Sequence, residues 1–87
     1  ERSFKLFADA AAQGIVGAQS RLGLMYATGE GVAHDPIEAH KWFVLASKAG
    51  DKVAQANLER SESRLSKVQI AEAQRRSGVW VPAVVNK

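Results

Sequence analysis

The chain carries the stretch FKLFADAAAQGIVGAQSRLG at residues 4–23 and a related stretch, HKWFVLASKAGDKVAQANLE, at residues 40–59. Seven of the 20 aligned pairs are identical, and matches at positions 7, 10, 14, 18 and 22 are three or four residues apart. This spacing follows one face of a helix–turn–helix passage. A period of 36 residues is near that of stacked helical hairpins, in which one unit alone cannot bury its apolar stripe. The sequence therefore predicts an all-α fold in which α/α helical hairpins stack as a short solenoid.

Residues that start and stop helices divide the chain into five predicted helices. Asp35 is the predicted N-cap of the third helix, Pro36 takes its first position, and Glu38 is placed to close a capping box. Gly50 ends that helix, and Asp51 is the predicted N-cap of the next. Before and after this third helix, we expect helices over 2–13, 17–28, 52–64 and 67–77.

The last predicted helix has weaker boundary signals. Ser66 and Gln69 have the spacing of a second capping box, and Gly78 is the predicted stop. Residues 79–87 resemble a strand in composition, but Pro82 lies among them, so they are predicted to form an extended tail.

The turn between the two halves of the repeat carries a distinctive pattern of glycines. The stretch AQSRLGLMY at residues 18–26 is followed by GEGV at residues 29–32. The pattern continues with Asp35, Ala39, Trp42, Phe43, Ala46 and Gly50. Together these residues closely resemble the Sel-one-like repeat, a relative of the tetratricopeptide repeat with a longer glycine-containing turn. The resemblance covers about residues 4–58 and implies a protein–protein interaction scaffold.

Each glycine of this motif has a physical role to fill. Gly23 would let a neighbouring helix approach closely beside Tyr26 and Trp42, and Gly29 and Gly31 would adopt positive φ in a tight turn. The competing interpretation of Gly-x-Gly, a loop that binds phosphate, requires a preceding strand and a third glycine opening a helix. The sequence has neither, so we prefer the turn.

Departures from the pattern set the predicted domain boundaries. Ile15 stands where Asp51 stands one repeat later, and Glu59 replaces Gly23, with no further Gly-x-Gly turn. The array is therefore expected to end here, closed by a helix over the last open face. The predicted units are a half repeat over 1–14, a full repeat over 15–50, a truncated repeat over 51–65, a capping helix over 66–78 and the tail over 79–87.

The first residue is Glu1 rather than Met, so the chain is expected to be a piece of a longer protein, at the C-terminal end of its repeat array. The last helix is similar to the ends of such arrays in bacterial envelope proteins. That similarity implies a bacterial protein of the periplasm or envelope, or a regulatory protein.

The sequence offers little for catalysis or metal binding. It has no cysteine, and His34 and His40 are six residues apart and share no helix face. The first is expected to be a solvated turn residue and the second a half-buried helix residue. Capping accounts for Asp35 and Glu38, and no serine has a nucleophile elbow or a plausible base beside it. We therefore expect a non-catalytic protein with no cofactor and no metal.

The predicted binding surface is the concave face. In tetratricopeptide-like stacks the first helix of each hairpin lines this face, and the resemblance implies that its outward positions bind the partner. Those positions are Ser20, Arg21, Leu24, Thr28, Asn57, Arg60 and Arg64. Forked guanidinium groups suit the carboxylates of an acidic peptide or protein. The alternative is that Arg60 and Arg64 pair with Glu59 and Glu62, or only face water.

Charge is divided unevenly along the chain and leaves other interpretations open. Residues 1–51 carry five basic and six acidic side chains, and residues 52–87 carry seven and three. The basic part allows weak binding of nucleic acid or another anion through Lys67, Arg75 and Arg76, although no aromatic residues accompany them on that helix. A homodimer through Phe4 and Phe7 on an exposed N-terminal repeat face, or a purely structural end cap, are further alternatives.

Overall fold

In the computed structural model, the described residues are 2–79, and they form five helices. These are α1 (Arg2–Ala12), α2 (Val16–Thr28), α3 (Pro36–Lys48), α4 (Lys52–Glu62) and α5 (Lys67–Val79). All regular structure in this range is helical, which confirms the predicted all-α class. The last helix runs through Gly78 to Val79, so Gly78 does not stop it as predicted, because a glycine inside a helix lowers stability without breaking the hydrogen-bond ladder. The rest of the predicted extended tail, 80–87, lies outside the described residues.

The third helix is the centre of the arrangement. It packs against α2, α4 and α5, while α1 packs against α2. The full-repeat hairpin of α2 and α3 therefore packs on α1 through α2 and on α4 through α3, which is the stacking that the repeat pattern predicts. The predicted capping helix corresponds to α5, which lies on α3.

Three of the helix starts are capped by side chains as predicted. The Asp35 carboxylate accepts a hydrogen bond from the backbone N–H of Glu38 at 3.1 Å, and Asp51 accepts one from Ala54 at 3.0 Å. At the start of α5, Ser66 and Gln69 exchange hydrogen bonds of 3.1 and 3.0 Å between side chain and backbone. Each such cap contributes about 1 kcal/mol.

The side chain of Glu38 does not close the predicted capping box. Its carboxylate lies 2.6 Å from Lys41 Nζ and 3.1 Å from an Arg76 guanidinium nitrogen. Two cations compete for the carboxylate more strongly than one neutral N–H, because charge-assisted hydrogen bonds are roughly twice as strong as neutral ones. Glu38 therefore links α3 to α5 instead of capping its own helix.

An apolar cluster joins the first three helices. Its buried members are Ala11, Ala18, Leu22 and Trp42. The ring of Phe4 packs edge-on against Tyr26, with centroids 5.7 Å apart. Aromatic side chains contribute more buried area than any others, so this cluster supplies much of the hydrophobic stabilisation.

The close approach at Gly23 involves a side chain. A Cβ built there would lie 2.5 Å from the Phe43 ring, and Phe43 itself is 2% exposed. The sequence predicts that a neighbouring helix approaches closely at Gly23, beside Tyr26 and Trp42. In the structure, the Phe43 ring of α3 fills the space at Gly23. This contact fixes how closely α2 and α3 approach each other.

The turn between α2 and α3 depends on two glycines in the left-handed region. Gly29 has φ of 78° and Gly31 has φ of 74°, as the motif predicts. The backbone N–H of Asp35 then donates to the Tyr26 carbonyl at 3.0 Å, which closes the turn. Over the part of the chain that is described, no helix is both long and apolar enough to cross a bilayer.

Candidate partner-binding groove

A groove of about 170 Å³ lies between α2 and α4, with α3 beneath it. Leu24, Ala27 and Phe43 give it an apolar floor. Its polar and charged residues are Thr28, Asn57, Arg60, Ser61 and Arg64. The floor comes from α2 and α3, and most of the polar wall comes from α4 and the turn after it. The groove therefore exists only because α4 packs beside the α2–α3 hairpin.

The groove contains five of the seven predicted binding residues. They are Leu24, Thr28, Asn57, Arg60 and Arg64. One of them departs from the expectation of an outward position, because Asn57 is only 8% exposed. It lies where α4 turns from its packed face toward the groove, so its amide lines the wall without facing bulk solvent.

The structure does not place Ser20 and Arg21 in the groove. Ser20 is 7% exposed, because its position on α2 falls inside the packed face. Arg21 pairs with Glu30 at 3.2 Å, and its guanidinium carbon lies 5.8 Å from the centre of the Phe7 ring. Ser20 therefore does not take the outward position that the sequence predicts. Arg21 already has an anionic partner, Glu30, within the chain.

Three groove residues were missed by sequence reasoning. Ala27 and Ser61 follow Leu24 and Asn57 by three and four residues, so helical spacing alone places them on the same face. Phe43 lies on another helix, and only its contact with Gly23 brings the ring under the groove. The regular spacing of residues along one helix could have predicted Ala27 and Ser61, whereas no sequence signal predicts the contact between helices that places Phe43.

The two groove arginines differ from the others in their partners. Of the five arginines whose side chains are described, Arg21, Arg75 and Arg76 form ion pairs with glutamates. Arg60 and Arg64 form no ion pair with any residue in the described range, although Glu59 and Glu62 are adjacent in sequence. The alternative in which they pair with those glutamates is therefore absent from the structure, and both guanidinium groups are exposed at the groove.

One wall of the groove is attached to a buried histidine. His40 is fully buried rather than half-buried, since α4 covers it, and its Nδ1 lies 2.5 Å from the Ser61 hydroxyl. That hydroxyl also lies 3.2 Å from the Leu58 carbonyl, so Ser61 contacts both the imidazole and the backbone of its own helix. Burial lowers the pKa of His40, against an opposing effect of Glu62 that raises it. The ring is therefore neutral at pH 7.

This pair corrects the prediction that no serine has a base beside it, because 21 residues separate the two in sequence. The arrangement nevertheless lacks the features of a nucleophile. Among the described residues, His40 Nε2 has no partner that could orient the ring as the third member of a catalytic triad does. The geometry therefore fits a structural link between α3 and α4.

The basic surface of α5 is largely neutralised. Arg75 and Arg76 both bind the Glu72 carboxylate, at 2.7 and 2.8 Å, and these contacts lower its pKa to about 2. Arg76 also reaches Glu38 at 3.1 Å. Of the three residues predicted as an anion-binding surface, two are therefore occupied by glutamates. Residues 2–79 also include no group of side chains arranged to hold a metal ion.

The rings proposed for a homodimer are partly buried by contacts within the chain. Phe4 contacts Tyr26, Phe7 lies under Arg21, and both pack against the core cluster. The exposed apolar residue of α1 is Leu6, at 65%. The expected Phe4–Phe7 face is therefore half-buried rather than fully exposed, because α1 packs on α2.

Comparison with known proteins agrees with the helical hairpin and its turn. Residues 16–51, which comprise α2, the glycine turn and α3, match the family model described as Sel1 repeat. This segment therefore resembles a Sel1 repeat. The repeat thus supplies the floor of the groove, and α4 supplies the wall that follows it.

Chitin synthase regulatory factor 3 of the yeast Schizosaccharomyces pombe is 44% identical to this chain over 50 residues. The alignment covers 58% of this chain and 5% of the yeast protein. The chain thus spans only a small part of that relative's length. The relative comes from a yeast, so this similarity does not support the predicted bacterial source.

Proposed function

We propose that this chain is a non-catalytic protein–protein interaction module that binds an acidic segment of a partner protein in the groove between α2 and α4. The binding residues are the five predicted ones that line the groove, together with Ala27, Phe43 and Ser61. The apolar floor would take a side chain of the partner, and the two arginines would bind carboxylates.

The observation that carries this proposal is the contrast among the arginines. Three have glutamate partners within the chain, while Arg60 and Arg64 are exposed, unpaired in the described structure, and beside an apolar concavity. Arginine at an interface contributes most when its charge meets a carboxylate in a partly desolvated setting. The groove provides that setting because Phe43 and Leu24 exclude water from one side.

The comparisons support the same class of function. A Sel1 repeat at residues 16–51 suggests an interaction module, and the yeast relative carries the name of a regulatory factor. A regulatory role fits a protein that acts by binding others. The anion-binding alternative is disfavoured by the ion pairs of Arg75 and Arg76, and the homodimer by the partial burial of Phe4 and Phe7.

Peptide display against the immobilised chain tests the proposal. We expect selected peptides to be enriched in acidic residues, and the double variant Arg60→Glu, Arg64→Glu to lose them. The control is Lys52→Glu, Lys67→Glu, which changes net charge equally at exposed first-turn positions where glutamate also suits the helix dipole. Circular dichroism must show the three proteins equally helical.

Equal retention of the selected peptides by all three proteins would reject the groove as the binding site. Selected peptides without acidic residues would reject the acidic partner. Binding lost in both variants would indicate a general effect of net charge, and would also contradict the proposal.

A further inference from the structure

The shape of the groove limits what can occupy it. A cavity of about 170 Å³ has room for one medium-sized side chain, since an apolar cavity of about 150 Å³ holds one benzene molecule. Phe43 cannot retreat to enlarge it, because its ring already touches Gly23. The floor therefore accepts one apolar anchor, of the size of leucine, isoleucine, methionine or phenylalanine.

The polar wall is short. Its residues run from Asn57 to Arg64, seven residues along α4 and the turn that continues it, or about 10 Å at 1.5 Å per residue. An extended peptide covers that length with about three residues. An α-helix, about 10 Å across, would rest on the rim of the groove and reach the floor with one side chain, whereas an extended segment can follow the wall along its length.

The spacing of the two free arginines matches the geometry of an extended segment. Arg60 lies in α4 and Arg64 two residues past its end, in a turn where the Arg64 N–H donates to the Ser61 carbonyl at 3.0 Å, so we expect their Cβ atoms roughly 6 Å apart, as on one helical turn. In an extended peptide, the residues before and after an anchor lie on one face, about 6.6 Å apart, and the anchor points to the other face. An anchor in the floor thus leaves both flanking side chains at the mouth of the groove on its solvent side, where the exposed side chains of Arg60 and Arg64 can extend to meet them.

We propose that the groove recognises a short extended segment of a partner protein with the order acidic–apolar–acidic. The apolar side chain enters the floor of Leu24, Ala27 and Phe43, and each flanking carboxylate binds one of the two arginines. This inference rests on the proposed function and adds the motif that the groove reads. The Asn57 amide, which forms no side-chain hydrogen bond within the described residues, lies beside the anchor and can bind the peptide backbone.

Synthetic peptides of fixed composition test the motif. The first contains Asp-Leu-Asp in a Gly/Ser background with blocked termini, the second has Asp-Asp-Leu in its place, and the third has Asp-Ala-Asp. Binding to the ¹⁵N-labelled chain is measured from amide chemical shifts, with the N–H groups of α4 as reporters. We expect the reordered peptide to bind about fivefold more weakly, since it loses one charge-assisted contact, and the alanine peptide about tenfold.

Single variants make the assignment sharper. Each of the variants Arg60→Gln and Arg64→Gln should remove the contribution of one aspartate of the Asp-Leu-Asp peptide to binding. Replacing that aspartate with Ser should then change the affinity for the variant less than twofold. The other acidic residue should keep its full effect. Such a pattern measures pairwise coupling and would not arise from a loss of net charge.

The outcomes separate this inference from the proposed function. Equal affinity of the first two peptides, with both weakened by Arg60→Glu, Arg64→Glu, would overturn the motif and leave the acidic-partner proposal in place. No shift of the α4 amides by the first peptide at about 1 mM would also overturn the motif, and the display experiment then decides the proposed function by itself.

Discussion

The helices α1 to α3 and the helices α4 and α5 are held in place by different forces. The large side chains that are fully buried, Phe43, Leu22, Met25 and His40, all belong to α2 and α3. In α4 and α5 the buried residues are small or polar: Ala54, Asn57, Ala73 and Ser77. A buried phenylalanine or leucine contributes about 1.5–3 kcal/mol, and an alanine much less.

Polar contacts also attach the second region to α3. The Glu38 carboxylate holds Arg76 of α5, and His40 holds Ser61 of α4. Hydrophobic packing changes little with salt or with pH near neutrality, whereas ion pairs and buried histidines respond to both. The groove lies on the boundary, with a floor from the first region and a wall from the second. We therefore expect salt and pH to affect the attachment of the wall more than that of the floor.

Removing the largest fully buried side chain should have the largest effect on the first region. Phe43→Ala should lower the free energy of unfolding by about 3–5 kcal/mol, because it removes apolar contacts and leaves a cavity. Urea unfolding followed by circular dichroism measures the loss. The control is Val68→Ala on α5, where the side chain is 79% exposed and the change should stay within about 0.5 kcal/mol. Similar losses at both sites would contradict the difference between the regions.

Filling the space at Gly23 should be the next largest effect. Gly23→Ala places a Cβ 2.5 Å from the Phe43 ring, so we expect a loss of about 1–3 kcal/mol despite the better helix propensity of alanine. Gly17→Ala, on the same helix, meets no atom within 4 Å and should stabilise by up to about 1 kcal/mol. Opposite signs in the two urea transitions are the expected result. A stabilising Gly23→Ala would show that the ring moves freely.

The histidine link should make stability depend on pH. Burial lowers the pKa of His40 below its ordinary 6.5, so the unfolded chain takes up this proton first as pH falls. The free energy of unfolding should therefore be highest above pH 6.5, fall as pH drops through that value, and stop falling below the folded pKa. The slope from one group is at most about 1.4 kcal/mol per pH unit.

His40→Asn should remove this slope between about pH 7 and pH 5.5, a window above the ordinary range of carboxylates. The matched control is His34→Asn, at an exposed position in the turn, which should leave the slope in place. Thermal unfolding at a series of pH values measures it. A slope that survives His40→Asn would mean that another group controls the pH response.

The ion pairs of the second region should give the smallest effect and the clearest dependence on salt. Glu38→Gln removes the charge that holds both Lys41 and Arg76, and we expect a loss of about 1 kcal/mol at low ionic strength. Glu30→Gln removes the partner of Arg21 at a more exposed site and should cost less than about 0.5 kcal/mol. The Glu38 effect should shrink as salt is added. Equal effects of the two variants would contradict the role of Glu38 in attaching α5.

The helices and their caps could be read from the sequence because the signals are local. Asp35, Asp51 and the Ser66–Gln69 pair cap their helices as predicted, since a cap involves atoms only three residues apart. The second role of Glu38 could not be predicted in this way. Its partner Arg76 is 38 residues away, and only the packing of α5 on α3 brings them together.

The sequence by itself determined the helical repeat, its glycine turn and most of the groove's polar wall, because spacing along one helix decides which side chains share a face. Only the tertiary structure decided which of those side chains remain available. Arg21 is taken by Glu30, Ser20 is buried, and Phe43 completes the floor from a different helix. These outcomes depend on distances between helices, which periodicity along the chain does not specify.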